Sequence, residues 1–385
     1  PSTSASSSTI TIDRTGPSLS LAKSALQANP ANSSLISFTL TSNETLDTST
    51  VTASDFTVTN GSTPTVSCSG TSCTITTTAT GQGDVSIAPS GTFSVADPSG
   101  NTTTTASGTD RTVTFDSVAP TLTLEQATGQ ADPAKANPIN FTLTGSEALL
   151  ASTVTSSDFT ATNGTIGTIS CSGSSCTIPV TASAQGTVSL APSGTFSVTD
   201  PAGNATTTAS GTDRSVIFDS VAPTATITAP ATPNKAASLT FTVNFSETVY
   251  GLTASDFSVL GTATGCTIGA PSSDTGTSMT VTLTGCSEGT VGLRLTPQTV
   301  ADLAGNTSPA TNVDSTLVTI DRTAPTLTLE QAAGQVDPAN ANPINFTLSA
   351  SETLLASTVT SSDFTATGGT IGTISCSGAT CTIPV

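Results

Sequence analysis

The sequence has 385 residues, 140 of them Ser or Thr; only 9% are charged, 4% are aromatic, and none is His or Trp. Without histidine there is no Ser-His-Asp or Cys-His machinery, no imidazole base and no ordinary zinc or haem ligand set. A net charge of −18, from 8 basic against 26 acidic residues, argues against binding nucleic acid or an anionic membrane, and no run approaches the ~18 to 20 apolar residues of a membrane span.

From the N-terminus onward, apolar residues alternate with Thr, as in Phe38-Thr39-Leu40 and Thr121-Leu122-Thr123-Leu124. Period-2 alternation rich in Thr, Val, Ile and Phe is the mark of half-buried strands, and no window carries a helical apolar stripe. The chain therefore reads as folded and all-β. It also repeats. An Asp-x-x-x-Pro signature begins at Asp13, Asp116, Asp219 and Asp321, at spacings of 103, 103 and 102 residues. Glu44, Glu147, Glu247 and Glu352 recur after an apolar strand, and Ser-Asp-Phe recurs with its acid at Asp55, Asp158, Asp256 and Asp363. An Asp-x-x-Gly-Asn loop recurs at Asp97 to Asn101, Asp200 to Asn204 and Asp302 to Asn306. Residues 121–180 and 326–385 align without a gap and differ at nine positions.

About seven short strands per period, separated by Gly, Pro and Asn turns, predict a tandem array of immunoglobulin-like β-sandwich domains. In the second repeat the strands are expected near residues 121–125, 139–144, 159–162, 165–170, 176–180, 187–191 and 215–218. The expected divisions are 17–116, 117–219 and 220–321, with a partial fourth domain at 322–385 that lacks its last strands. Residues 1–13 align with 309–321, so residues 1–16 are expected to be the last strand of a preceding domain and its linker. These ends suggest a window on a longer array. Completion of another subunit's sandwich by residues 1–13 is less favoured, because one strand cannot replace two.

The runs FSETVYGLTASDFSVL from Phe245, GTVSLAPSGTFSVTDPAGN from Gly186 and DRTAPTLTL from Asp321 are similar to bacterial Ig-like repeats of large surface proteins and adhesins. The resemblance covers essentially the whole chain. It implies extracellular spacers, often Ca2+-dependent, that hold other domains away from a bacterial cell surface.

Eight cysteines fall two per repeat. Cys68 with Cys73, Cys171 with Cys176 and Cys376 with Cys381 each bracket four small residues, which fits a hairpin closed by a disulfide. Cys266 and Cys286 flank a longer hairpin centred on residues 272–278 and can bridge further from its tip. A four-thiolate metal site is disfavoured, because the pairs are ~100 residues apart in separate domains. Paired cysteines imply an oxidising, extracellular setting.

Fifteen of the 26 acids occupy the four repeated positions. In a seven-strand sandwich the second strand returns to the N-terminal pole, bringing Glu147 and Asp158, and the sixth brings Asp200 and Asn204. The linker carrying Asp116 enters there too. Each acid alone could be an ordinary turn or cap residue. Together they would repel or take up protons unless a hard cation sat among them. Ca2+, which accepts 6–8 oxygens in irregular geometry, fits better than Mg2+. The same reasoning assigns Asp13, Glu44, Asp55, Asp97 and Asn101 to the preceding joint. It assigns Asp219, Glu247, Asp256, Asp302 and Asn306 to the next, and Asp321, Glu352 and Asp363 to the last.

Sequons such as Asn101-Thr-Thr are expected by chance in so Thr-rich a chain, and the scattered acids lack the aromatic platform of a glycosidase. The reading is a non-enzymatic extracellular stalk whose partners are the other domains of the same chain. A surface ligand would be bound elsewhere in that chain. The alternative is a subunit of a filament or sheath that associates laterally. The near identity of repeats two and four predicts a two-domain duplication unit of 205 residues, from Pro120 to Pro325.

Overall fold

A computed structural model describes residues 9–385, and these fall into two compact units, the first ending at Val221 and the second beginning at Ala222. The alternating segments form strands throughout, and the only helical elements among the described residues are single 3-10 turns.

The first unit holds two sandwiches of one design. In the second of them, Leu122–Gln126, Ile139–Gly145 and Ser175–Ala182 pair in that order, and the last is also paired by Gly164–Ile166 and Ser170–Ser172. The facing sheet is Phe159–Thr162, Gly186–Pro192, Ser215–Phe218. With Gly164–Ile166 and Ser170–Ser172 taken as one interrupted strand, this is the four-plus-three division of an immunoglobulin-like sandwich. The observed strands match the expected ones to within a residue or two, except that the expected strand at 165–170 is two short ones. Between them Gly167 N donates to Pro179 O, so pairing continues without regular ladder geometry. A two-stranded hairpin of Val198–Thr199 and Ala205–Thr206, not anticipated from the alternation, interrupts the last connection. Alternate residues of each strand turn inward. Phe141, Leu143, Ile178, Val180 and Val188 are fully buried, and Phe159 packs edge-on against Phe196 at 5.7 Å. The first sandwich repeats this around Phe38, with Phe56 against Phe93 at 5.9 Å.

In the second unit, Ser238–Tyr250 is the spine of a six-stranded sheet, and Phe257–Gly261, Gly289–Leu295, Val313–Asp314 and Val318–Ile320 form its partner. Residues 326–385 supply Leu327–Gln331, Asn345–Ala350, Thr380–Pro384 and Ser375–Ser377 in one sheet. Phe364 begins no strand there. The segment that pairs with its counterpart Phe159 is Gly186–Pro192, which has no equivalent before Val385.

All four cysteine pairs are bonded, with Cα–Cα distances of 3.9–4.2 Å. Cys68 and Cys73 are direct cross-strand partners, as are Cys171 and Cys176, and Cys376 and Cys381. The two ends of each short bridge sit differently. Cys73, Cys176 and Cys381 are buried in their cores, whereas Cys68, Cys171 and Cys376 are only partly covered. Each bond therefore fastens an outer strand to the core strand beside it. With Cys73 and Cys381 sealed in this way, the cysteines are braces of the fold and offer no thiolate to a ligand or metal. Cys266–Cys286 lies just past the ladder that begins at Thr267↔Thr284.

At the N-terminus the expected strand falls partly outside the described residues. Residues 9–16 form no strand, and Ile10 and Ile12 are exposed, because no strand among the described residues lies beside them.

Candidate metal centre

Each acid group grows from the Asp-x-x-Gly-Asn turn. In the second sandwich Asp200 follows the strand Val198–Thr199 and is wholly buried. Its Oδ1 accepts from Gly203 N at 2.7 Å and Asn204 N at 2.9 Å, and its Oδ2 from Asn204 Nδ2 at 2.8 Å. Three donors hold the carboxylate in one orientation, which offsets the cost of burying it. The turn needs glycine, since Gly203 sits at φ +93°. Asp97 and Asp302 are built alike: Asn101 donates to Asp97 at 2.9 and 2.7 Å, and Asn306 to Asp302 at 2.9 and 2.8 Å. The bond from the Asn101 side chain, strengthened by backbone donors, holds the Asp97 carboxyl below its ordinary range in spite of burial.

The linker delivers the second acid. Asp116 N donates to Ala31 O at 2.9 Å, its Oδ1 accepts from Val118 N at 3.1 Å, and its carbonyl accepts from Asn204 Nδ2 at 2.9 Å. Glu147 completes the set from the loop after Ile139–Gly145, whose end is tied to the same pole by Ser146 N donating to Thr121 O at 2.9 Å. Carboxylate oxygens of Asp116, Glu147 and Asp200 lie within 4.8 Å of one another, and so do those of Asp13, Glu44 and Asp97. Burial first, then the charges of Asp116 and Asp200, raises the Glu147 carboxyl; Glu44 is raised by burial and then by Asp13 and Asp97. Three carboxylates with no nitrogen or sulfur donor are the ligand type of a hard cation, so the groups could bind a metal.

Three expected acids meet in each group, not four. Asp158 is turned away into a capping box: Oδ2 accepts from Thr155 N at 2.8 Å and Thr155 Oγ1 at 2.7 Å, and Oδ1 from Ser197 N at 3.2 Å. Asp55, Asp256 and Asp363 cap Thr52, Thr253 and Thr360 in the same way. A Thr three residues ahead of the acid, visible in all four repeats, satisfies it locally and removes it from the joint. Asn101, Asn204 and Asn306 donate their side-chain amides to the aspartates and so orient them.

Of the other expected residues, Asp219 closes the first unit, its N donating to Ala134 O at 2.8 Å and its Oδ1 accepting from Val221 N at 3.1 Å. Within the second unit, Glu247 lies in Ser238–Tyr250 and Asp302 in its buried turn. There the Glu352 carboxyl is raised by burial, then by Asp321, with Glu288 adding a smaller push. Glu288 escaped the sequence reading. The signal was available: aligned repeats carry Gln82 and Gln185 at this position, so the acid is specific to the third.

Residues 219–318 match the family model of the bacterial Ig-like domain. No curated protein matches the chain. Among solved structures the chain is similar to invasin, described as a bacterial integrin-binding protein, at 15% identity over 87% of this chain and 67% of that one, with a TM-score of 0.35. It is also similar to InvD of Yersinia pseudotuberculosis, at 13% identity over 79% of this chain and 98% of that one, with a TM-score of 0.35. The surface-layer protein SbsC is 14% identical over 95% of this chain and 62% of that one, with a TM-score of 0.25.

Proposed function

We propose that this array of Ig-like repeats is a non-enzymatic extracellular spacer on a bacterial surface, with Ca2+ at its joints. The observation that carries the reading is the meeting of Asp116, from the linker, with Glu147 and Asp200 of the sandwich that follows. A cation there would tie the linker to the next sandwich and offset the repulsion from Asp116 and Asp200 that, after burial, raises the Glu147 carboxyl. Four intradomain disulfides suit an oxidising exterior, and with no histidine the chain has no imidazole base. Its partners would be the neighbouring domains of its own chain, and any ligand would be presented by another part of it. Calorimetric titration of the full chain tests the metal. Binding with Kd of about 10⁻⁴ to 10⁻³ M is expected, as for extracellular Ca2+ modules, with one site fewer after Glu147→Gln combined with Asp116→Asn. No heat at millimolar Ca2+, or an unchanged number of sites in that variant, would remove calcium from the proposal.

A further inference from the structure

The linker between the first two sandwiches is gripped from both sides by bonds that involve no cation. From the sandwich it leaves, Gln82 Oε1 accepts from Ser117 N at 3.1 Å and Gln82 Nε2 donates to Ser117 Oγ at 2.8 Å. From the sandwich it enters, Asn204 Nδ2 donates to Asp116 O at 2.9 Å and Thr206 Oγ1 donates to Pro120 O. Gln185 makes the same pair with Ser220, at 2.8 and 3.0 Å.

The third repeat reaches the same end with different chemistry. At the aligned positions stand Glu288 and Arg322. Glu288 Oε1 accepts from Arg322 N at 2.8 Å and from Thr323 Oγ1 at 2.9 Å. The Arg322 guanidinium donates to Cys286 O at 2.8 Å and Ala236 O at 2.9 Å. A glutamine amide both donates and accepts, so it can close a two-bond ring with a serine. A carboxylate only accepts, so both bonds to it need linker donors, and here Arg322 N and the Thr323 hydroxyl supply them. The exchange of Gln for Glu accompanies the exchange of Ser-Val for Arg-Thr in the linker.

We infer that Gln82, Gln185 and Glu288 are positioning residues that fix the direction in which each linker leaves its sandwich, whether or not a metal is bound. Only the purpose of this clamp rests on the spacer reading, because its bonds are complete without a cation. Ser117 and Val118 are exposed, so an elastase that cuts after Val118 reports how often the linker comes free. The full chain is digested in chelator. Losing both Gln82 bonds in Gln82→Ala should speed cleavage after Val118 by at least roughly fivefold, the lower bound for two hydrogen bonds of ordinary net worth. Gln82→Glu keeps the bond from Ser117 N and can accept from the Ser117 hydroxyl, but places a carboxylate near Asp116, so its cleavage should fall between wild type and the alanine variant. Q82E combined with S117R and V118T recreates the third repeat's pairing and should return slow cleavage, scored at the same linker by mass spectrometry with a protease tolerant of Thr. Wild-type cleavage rates for Gln82→Ala in chelator, or no recovery in the triple variant, would overturn the clamp. An effect of Gln82→Ala in a chain that binds no Ca2+ would uphold the clamp and remove the metal.

Discussion

The second and third repeats carry the same acid pattern on different frames. In the second, Ile139–Gly145 stops at the edge of the sandwich, and Val198–Thr199 pairs only with Ala205–Thr206. In the third, the counterpart Ser238–Tyr250 runs on for 13 residues, shifts register between Asn244 and Val249, and gathers Val300–Ala301 at Tyr250. The disulfide moves from a tight hairpin to one spanning 20 residues. Arg214 pins the backbone of Leu124 and Ala209, whereas Arg294 pairs with Asp314 at 2.6 and 2.7 Å. Yet Asp200 and Asp302 sit in the same glycine turn, each held by the asparagine four residues on. Apolar alternation tolerates a change of frame, because any inward residue of suitable size fills the core. A carboxylate turn has fewer solutions.

The comparison breaks first, if it breaks, in the core. Phe141 and Phe241 are fully buried at equivalent strand positions. Phe141→Ala and Phe241→Ala should each cost about 3–5 kcal/mol, read by hydrogen-exchange mass spectrometry on peptides of the repeat concerned. Markedly unequal losses would mean that the two frames do not share one core. The braces should differ by less. Removing Cys171–Cys176 should cost about 2 kcal/mol and removing Cys266–Cys286 about 3, since the longer loop restrains more of the unfolded chain. Equal urea midpoints for the two double serine variants would argue that loop length is not what matters.

Most of the frame was legible in the sequence, because period-2 alternation and turn residues act locally. The cysteine pairing was legible for the same reason, since Cys68 and Cys73, like Cys376 and Cys381, face each other across a single tight turn. What spacing alone did not tell was which end of each bridge enters the core. The short hairpin of Val198–Thr199 and Ala205–Thr206 was not legible, since two-residue strands carry no period. The acid group was legible in part. Asp116, Glu147 and Asp200 were placed at one pole by topology alone, but Asp158 was assigned there as well. Its partner was three residues away: the Thr155 capping box meets the carboxylate's needs before any distant group can. This gives a sharper contrast between two buried acids of one repeat. Asp158→Ala should cost about 1 kcal/mol through loss of the cap and leave Ca2+ binding untouched. Asp200→Asn should keep the turn and weaken the joint's affinity for metal. Equal effects of the two on the calorimetric titration would return Asp158 to the site.

The smallest effect is the titration of the two repeats, and it should run in opposite directions. In the second, burial and the neighbouring charges of Asp116 and Asp200 hold the Glu147 carboxyl above its ordinary value. Folding then favours the protonated form. The resulting penalty is absent below the unfolded value and grows as pH rises toward the folded one, so the metal-free repeat gains stability on acidification. In the third, the hydrogen bond from Arg294, aided by its charge, holds Asp314 below its ordinary value. That contribution is present above the unfolded value and disappears as pH falls through the folded one. Carboxyl-detected NMR titration of the full chain should therefore place Glu147 high and Asp314 low. Adding Ca2+ should draw Glu147 down, because the cation favours its charged form, and leave Asp314 where it was, because its partner is an arginine within its own sheet. A Glu147 midpoint indifferent to Ca2+ would mean that the three carboxylates settle their repulsion with a proton alone, and the second and third repeats would then differ in frame without sharing a metal.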